Sequence, residues 1–269
     1  MTNLSRKTII QLICLAVIFI AIGCVDVPEF PEEPTISFNK VEFKFIDDPS
    51  TSDSEYDSLE ITINFMDGNG DLGIDADDLY PPFNDSYYFP NLILNPDSAR
   101  LITYSDRKLI EYDTLPEFNA DTECTSWFIV RQNAQNSQLF LEIDGVYYFD
   151  EIKNYIGDTL YFQRNKYHNN FYIDIYEKQG DEFALYDFPA PGCEIPYNGR
   201  FPTKINPGGP NNSRALEGTL KRTIGMNPAF WFGSHNDILM LEIYIYDRAF
   251  NKSNVIRSPE FRLEDILSN

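Results

Sequence analysis

The sequence predicts an all-β, mainly antiparallel protein: a sandwich with a large central insertion and one minor helix. Three observations carry this. Apolar residues recur at every second position in several long stretches, the period of a strand with one buried face. Helical spacing is convincing in one short segment only. Hydrophobic residues make up 43% and aromatics 15% of the 269 residues, enough for a sizeable core and too much for a disordered chain.

In chain order, Arg6 and Lys7 form a positive start, and an apolar run follows from Thr8 to Ile22, interrupted by Gln11. The run is short for a bilayer span and reads as the core of a secretory signal over residues 1–23. It ends in Ala21-Ile22-Gly23-Cys24, which resembles the lipobox of bacterial lipoproteins. That resemblance implies lipidation at Cys24 after cleavage, where two or three acyl chains give stable anchoring at about 0.8 kcal/mol per buried methylene. An ordinary signal peptide with an incidental cysteine is the competing reading. Residues 24–35 hold three prolines and four acids and suit an extended acidic tether.

The body spans 36–269. Ile36 and Phe38 share one parity and Val41, Phe43 and Phe45 the other, which predicts a bulge near Asn39-Lys40. Leu59, Ile61, Ile63 and Phe65 alternate without a fault, as do Leu239, Leu241, Ile243 and Ile245. Phe171–Tyr176 and Leu139–Ile143 follow the same rule, and further strands are expected near 99–104, 126–131, 158–163, 182–187, 216–222 and 254–263. The helix is expected over 150–157, where Ile152, Tyr155 and Ile156 share a face and Gly157 is a stop. Leu59–Asp67 and Leu239–Asp247 echo each other, each a nine-residue alternation ending in Asp before a polar turn. They fit one immunoglobulin-like sandwich with an elaboration at about 80–215; two separate immunoglobulin-like domains is the alternative.

Charge narrows the partners. There are 42 acids against 21 bases, a net −21 that becomes −23 once Arg6 and Lys7 leave with the signal. Residues 24–78 concentrate it, with 16 acids against Lys40 and Lys44. Nucleic acid and anionic headgroups, both bound through surplus Lys and Arg, are excluded as partners. Cys124 and Cys193 remain as one pair in an oxidising compartment and are expected to form a disulfide, closing a loop of about 70 residues worth about 4 kcal/mol in the chain-entropy view. Two free thiols is the other reading.

The most chemically pointed segment is Asp67-Gly-Asn-Gly-Asp-Leu-Gly-Ile-Asp-Ala-Asp-Asp78. Asp67, Asn69, Asp71, Asp75 and Asp78 place hard oxygens at short intervals, and Gly68 and Gly70 let the backbone curl so that they converge, as Ca²⁺ requires. An EF-hand is rejected, because Leu72 stands where its glycine belongs, Asp78 where its bidentate Glu belongs, and a strand leads in. A calcium-stiffened turn and an ion-free Gly/Asn/Asp turn both fit. Asp247 either reaches the same ion or caps its own turn, and capping is the expectation.

Together with that turn, Gly199-Arg200-Phe201-Pro202, Leu216-Glu217-Gly218 and Asp247-Arg-Ala-Phe-Asn-Lys-Ser-Asn254 followed by Ser258-Pro259 resemble a group of poorly characterised Bacteroidota lipoproteins. The resemblance implies an immunoglobulin-like sandwich and an outer-membrane, lipid-anchored location on the periplasmic or cell-surface side. It implies no biochemical activity.

Catalytic constellations are wanting in the sequence. His168 and His235 lie in no metal-ligand spacing, Gly-Ser234-His235 is not a nucleophile elbow, and no phosphate-cradling glycine loop occurs. No catalytic residue is assigned. The expected function is a non-enzymatic binding or scaffolding subunit of an outer-membrane complex with a protein partner. The alternatives are a glycan-binding lipoprotein of a nutrient-uptake system, using Tyr87-Tyr88-Phe89, Tyr147-Tyr148-Phe149, Tyr161-Phe162, Trp127, Trp231 and Phe232, and, more weakly, a carboxylate-based surface hydrolase.

Overall fold

The computed structural model describes residues 30–44, 57–91, 93, 100–120, 122–123, 125–131, 138–143, 146–151, 156–186, 197–202, 215–226 and 237–268. Twelve strands are assigned: β1 (Thr35–Lys44), β2 (Asp57–Asp67), β3 (Ser86–Tyr88), β4 (Trp127–Ile129), β5 (Gln138–Ile143), β6 (Val146–Glu151), β7 (Thr159–Arg164), β8 (Phe171–Gln179), β9 (Glu182–Leu185), β10 (Leu216–Met226), β11 (Leu239–Ile245) and β12 (Ile256–Arg257). They make three sheets, ordered β1-β2-β10, β12-β11-β8-β9 and β4-β7-β3-β5-β6. Every pairing is antiparallel except β3 with β5.

The first two sheets share one core. Alternation in β2 and β11 sends Leu59, Ile61, Ile63 and Phe65 inward from one sheet and Leu239, Leu241, Ile243 and Ile245 from the other, all at most 3% exposed. Phe171, Ile173 and Ile175 of β8 join them, with Leu220 and Ile224 of β10. Each such side chain contributes about 1.5–3 kcal/mol on burial. If β1, β2 and β10 are A, B and E, and β8, β9, β11 and β12 are C, C′, F and G, the sheets read A-B-E and G-F-C-C′. That is the immunoglobulin arrangement. The two echo strands are therefore B and F of a single sandwich.

The third sheet interrupts it between B and C. Its own small core gathers Tyr88, Leu101, Val130, Leu160 and Phe162. This elaboration is narrower than the 80–215 expected from sequence: β8 pairs with β11 over Phe171–Glu177, and Gly199 bridges Phe171, so the sandwich resumes near residue 170. The body also begins a few residues earlier than expected. Gly68 N–H donates to the Pro31 carbonyl at 2.8 Å and β1 starts at Thr35, so the chain joins the body at Pro31.

Pairing of β1 with β2 shifts register between Phe38 and Lys40, where the parity switch placed a bulge. The helix expected over 150–157 is not what forms at its two described ends. Asp150 and Glu151 finish β6, paired with Leu139 and Gln138, and Ile156-Gly157 is a turn in which Gly157 has φ +87°. Cross-strand pairing outcompetes a weak, short helical pattern. The described residues contain no α-helix, only 3-10 turns at Tyr104–Lys108 and Leu263–Ile266. Near 99–104 only single bridges form, Leu101 to Pro90 and Thr103 to Leu160. There Asp106 accepts the Thr103 N–H at 2.8 Å and turns the chain. No helix among the described residues is long and apolar enough to cross a membrane.

Candidate metal centre

β2 and β11 do more than line the core. Asp67 has the same parity as Leu59 through Phe65, and Asp247 the same parity as Leu239 through Ile245. Alternation therefore turns both carboxylates inward, one step beyond the last apolar residue of each strand. They are 0% and 1% exposed. Asp71, on the turn after β2, completes a cluster in which one carboxylate oxygen of each residue lies within 4.8 Å of the others.

Two turns build the cluster. After Asp67, Gly70 and Gly73 adopt φ +74° and +106°, conformations that cost an L side chain and suit glycine. The Asn69 side-chain oxygen accepts the Asp71 N–H at 3.2 Å, closing an Asx turn. The turn after β11 then clips on: Arg248 N–H donates to the Asp71 carbonyl at 3.2 Å and Ala249 N–H to Asp71 Oδ2 at 3.1 Å. Asp247 does cap its turn as expected, accepting the Asn251 N–H at 2.7 Å and its side-chain amide at 2.8 Å. It also joins the cluster, so the two roles are not alternatives.

Asp67 is the anomaly. Neither of its oxygens has a hydrogen-bond partner, and Asp71 Oδ1 is likewise buried and unpartnered. Burial, followed by the negative charges of Asp71 and Asp247, pushes the Asp67 carboxyl up to about 7. The nearby Gly70 and Asp71 amides oppose this weakly, since neither completes a hydrogen bond to it. Burial and then Asp247 push Asp71 up to about 6. Burial also raises Asp247, against the pull of its Asn251 hydrogen bonds.

Of the four carboxylates expected to converge, only Asp67 and Asp71 belong to the cluster. Asn69 spends its side chain on the Asx turn. Asp78 is held elsewhere: Oδ2 accepts the Asp75 N–H at 3.0 Å and the Arg248 guanidinium at 2.8 Å. Arg248 also donates to the Gly73 carbonyl at 3.3 Å and lies 4.7 Å over the Phe83 ring. Arg200 fixes this far side of the loop, donating to the carbonyls of Asp75 and Asp78 at 2.9 Å each and to that of His168 at 2.6 Å. Asp75 and Asp78 thus lie on an arginine-bound loop and are not members of the acidic cluster. Asp247, expected mainly to cap its own turn, is the third member of the cluster, and its parity on the strand is what turns it inward.

The remaining candidates divide simply. Cys24, Cys124, Cys193, His235, Trp231 and Phe232 lie outside the described residues. Trp127, Tyr88 and Phe162 are buried in the elaboration, with Tyr88 and Phe162 stacked at 5.9 Å and Trp127 edge-on to Tyr161 at 5.5 Å. They pack a core rather than offer ring faces. His168 hydrogen-bonds Arg200 and supports the same loop. Comparison with known proteins finds no family model, no curated protein and no solved structure that matches this chain.

Proposed function

We propose that this protein is a lipid-anchored cell-envelope lipoprotein, held through Cys24 at the outer membrane, that acts as a non-enzymatic binding or scaffolding subunit of a larger complex. The supporting observation is that the B–C connection holds the most exposed large apolar side chain among the described residues, Ile110. In immunoglobulin sandwiches the B–C and F–G connections crowd one end, and binding surfaces are built there. Here the B–C connection carries a whole extra β-sheet. Ile110, Tyr80 and Leu79 stand on that connection at 78%, 56% and 52% exposed. Large apolar side chains held out in this way are the anchors that protein interfaces bury. The apolar leader ending at Cys24 supports the anchor, and the acidic, proline-rich stretch after it supports a spacer.

Site-specific photo-crosslinking in intact cells tests the reading. A crosslinker at Ile110 is expected to give one discrete higher-mass adduct, while one at Leu267, exposed beside Phe43 at the opposite end of the sandwich, gives none. Equal labelling at both positions, or none at Ile110, refutes the elaboration as the docking unit. Labelled palmitate that enters wild-type protein and Cys24→Ser equally refutes the anchor.

A further inference from the structure

We infer that Asp67, Asp71 and Asp247 form a divalent-cation site, with Ca²⁺ as its ion, that pins the root of the inserted sheet to the F–G turn. Two independent observations meet here. The first is geometric: three carboxylates from two chain segments bring oxygens within 4.8 Å of one another. That fits inside the roughly 5 Å that separates opposed oxygens around a calcium ion with bonds of about 2.3–2.6 Å. The second is the state of Asp67, a fully buried side chain aimed into the cluster with neither oxygen hydrogen-bonded. A buried carboxylate without a donor is costly, and a bound cation supplies the missing partner.

Among the described residues no protein cation pairs with Asp67. The Arg248 guanidinium, from the neighbouring turn, is directed to Asp78 and the Gly73 carbonyl. The donors are all hard oxygens, with no His or Cys among them, which disfavours zinc and copper. Magnesium keeps several waters in a strict octahedron, whereas calcium sheds water readily and accepts carboxylates in irregular mono- or bidentate geometry. An enclosed, carboxylate-rich cluster suits the second behaviour. Unlike a calcium loop read along the sequence, the site takes its third carboxylate from the turn after β11, 180 residues from Asp67, and Asp75 and Asp78 take no part. Its consequence is mechanical. Asp67 ends strand B, Asp71 opens the connection to the inserted sheet, and Asp247 stands two residues past the end of strand F, so one ion ties all three.

The test uses the full chain in detergent, stripped with EDTA and dialysed, with CaCl₂ and MgCl₂ as probes. Calorimetry is expected to give one Ca²⁺ per chain, and the thermal midpoint to rise by roughly 5–10 °C at hundredfold saturation. Asp67→Asn is expected to weaken Ca²⁺ binding by at least about 100-fold, and Asp75→Asn to leave it within about 2-fold. If Asp67→Asn does not fold, Asp71→Asn carries the same expectation. Absence of both a binding heat and a midpoint shift in the wild type overturns the site. Magnesium binding as tightly as calcium overturns the ion. An Asp75→Asn loss equal to that of Asp67→Asn overturns the ligand set.

Discussion

Glu60 and Asp67 lie seven residues apart on the same strand, both almost fully buried at 4% and 0% exposure, yet their carboxyls move in opposite directions. Glu60 points to the outer face of the β1-β2-β10 sheet. There Lys221 of β10 reaches it at 2.5 Å and Lys44 of β1 at 3.5 Å. The Lys221 hydrogen bond, ahead of any other influence, holds Glu60 below the usual carboxylate range. Asp67 points to the inner face, meets two more acids and no cation, and is pushed up to about 7. Low exposure is common to both, so exposure does not set the sign. The partner does. The lysine stems that cover Glu60 also neutralise it, whereas the turns that cover Asp67 bring two further carboxylates and only the weak opposing pull of the Gly70 and Asp71 amides.

The largest test of this contrast is Asp67→Asn with EDTA present. A carboxyl raised from 3.8 to about 7 binds its proton more tightly in the folded chain. Its penalty is therefore absent below about pH 4, grows as pH rises, and is complete above about pH 7. The variant is expected to be about 2–4 kcal/mol more stable than wild type at pH 8 and to converge with it near pH 4, by urea unfolding. An unchanged gap across that range would show that Asp67 carries no penalty to relieve.

Glu60→Gln is expected to do the reverse. A depressed carboxyl contributes stability that is present above its unfolded value of 4.5 and is lost as pH falls through the lower folded value. Both lysines are half exposed, so solvent screening limits the loss to about 1 kcal/mol at pH 7. Denaturation of the variant and wild type should converge in acid, the same low-pH convergence with the opposite sign at neutral pH. Smaller still, Lys221→Met is expected to cost about 0.5 kcal/mol and to raise the Glu60 pKa in an NMR titration. Lys44→Met should move it less, because Lys44 stands farther off. Equal shifts from the two would break the assignment of Lys221 as the dominant partner.

Much of the sandwich was readable from alternation. Four residues of β2 and four of β11 marked its inner faces, and a parity switch marked the bulge after Phe38. The helix expected over 150–157 does not form at its described ends, because three apolar residues on one side fit a helix turn and a strand end about equally, and only the pairing of β6 with β5 decides Asp150 and Glu151. The site was half readable. Asp67 and Asp71 stood out as oxygen donors between flexible glycines. Oxygen spacing along a loop, however, says nothing of which side chains an arginine will claim, and Arg248 and Arg200 draw the Asp75–Asp78 end away.

Sequence alone determined the strand period, the inward parity of both terminal aspartates and the acidity of the first turn, because each is a local property of the chain. Tertiary structure alone decided that those aspartates meet. β2 and β11 belong to opposite sheets and are joined by no hydrogen bond, and face-to-face packing of their apolar rows brings their ends to one point. A charge repelled in the unfolded chain thus becomes a cluster only when some twenty buried side chains compel it.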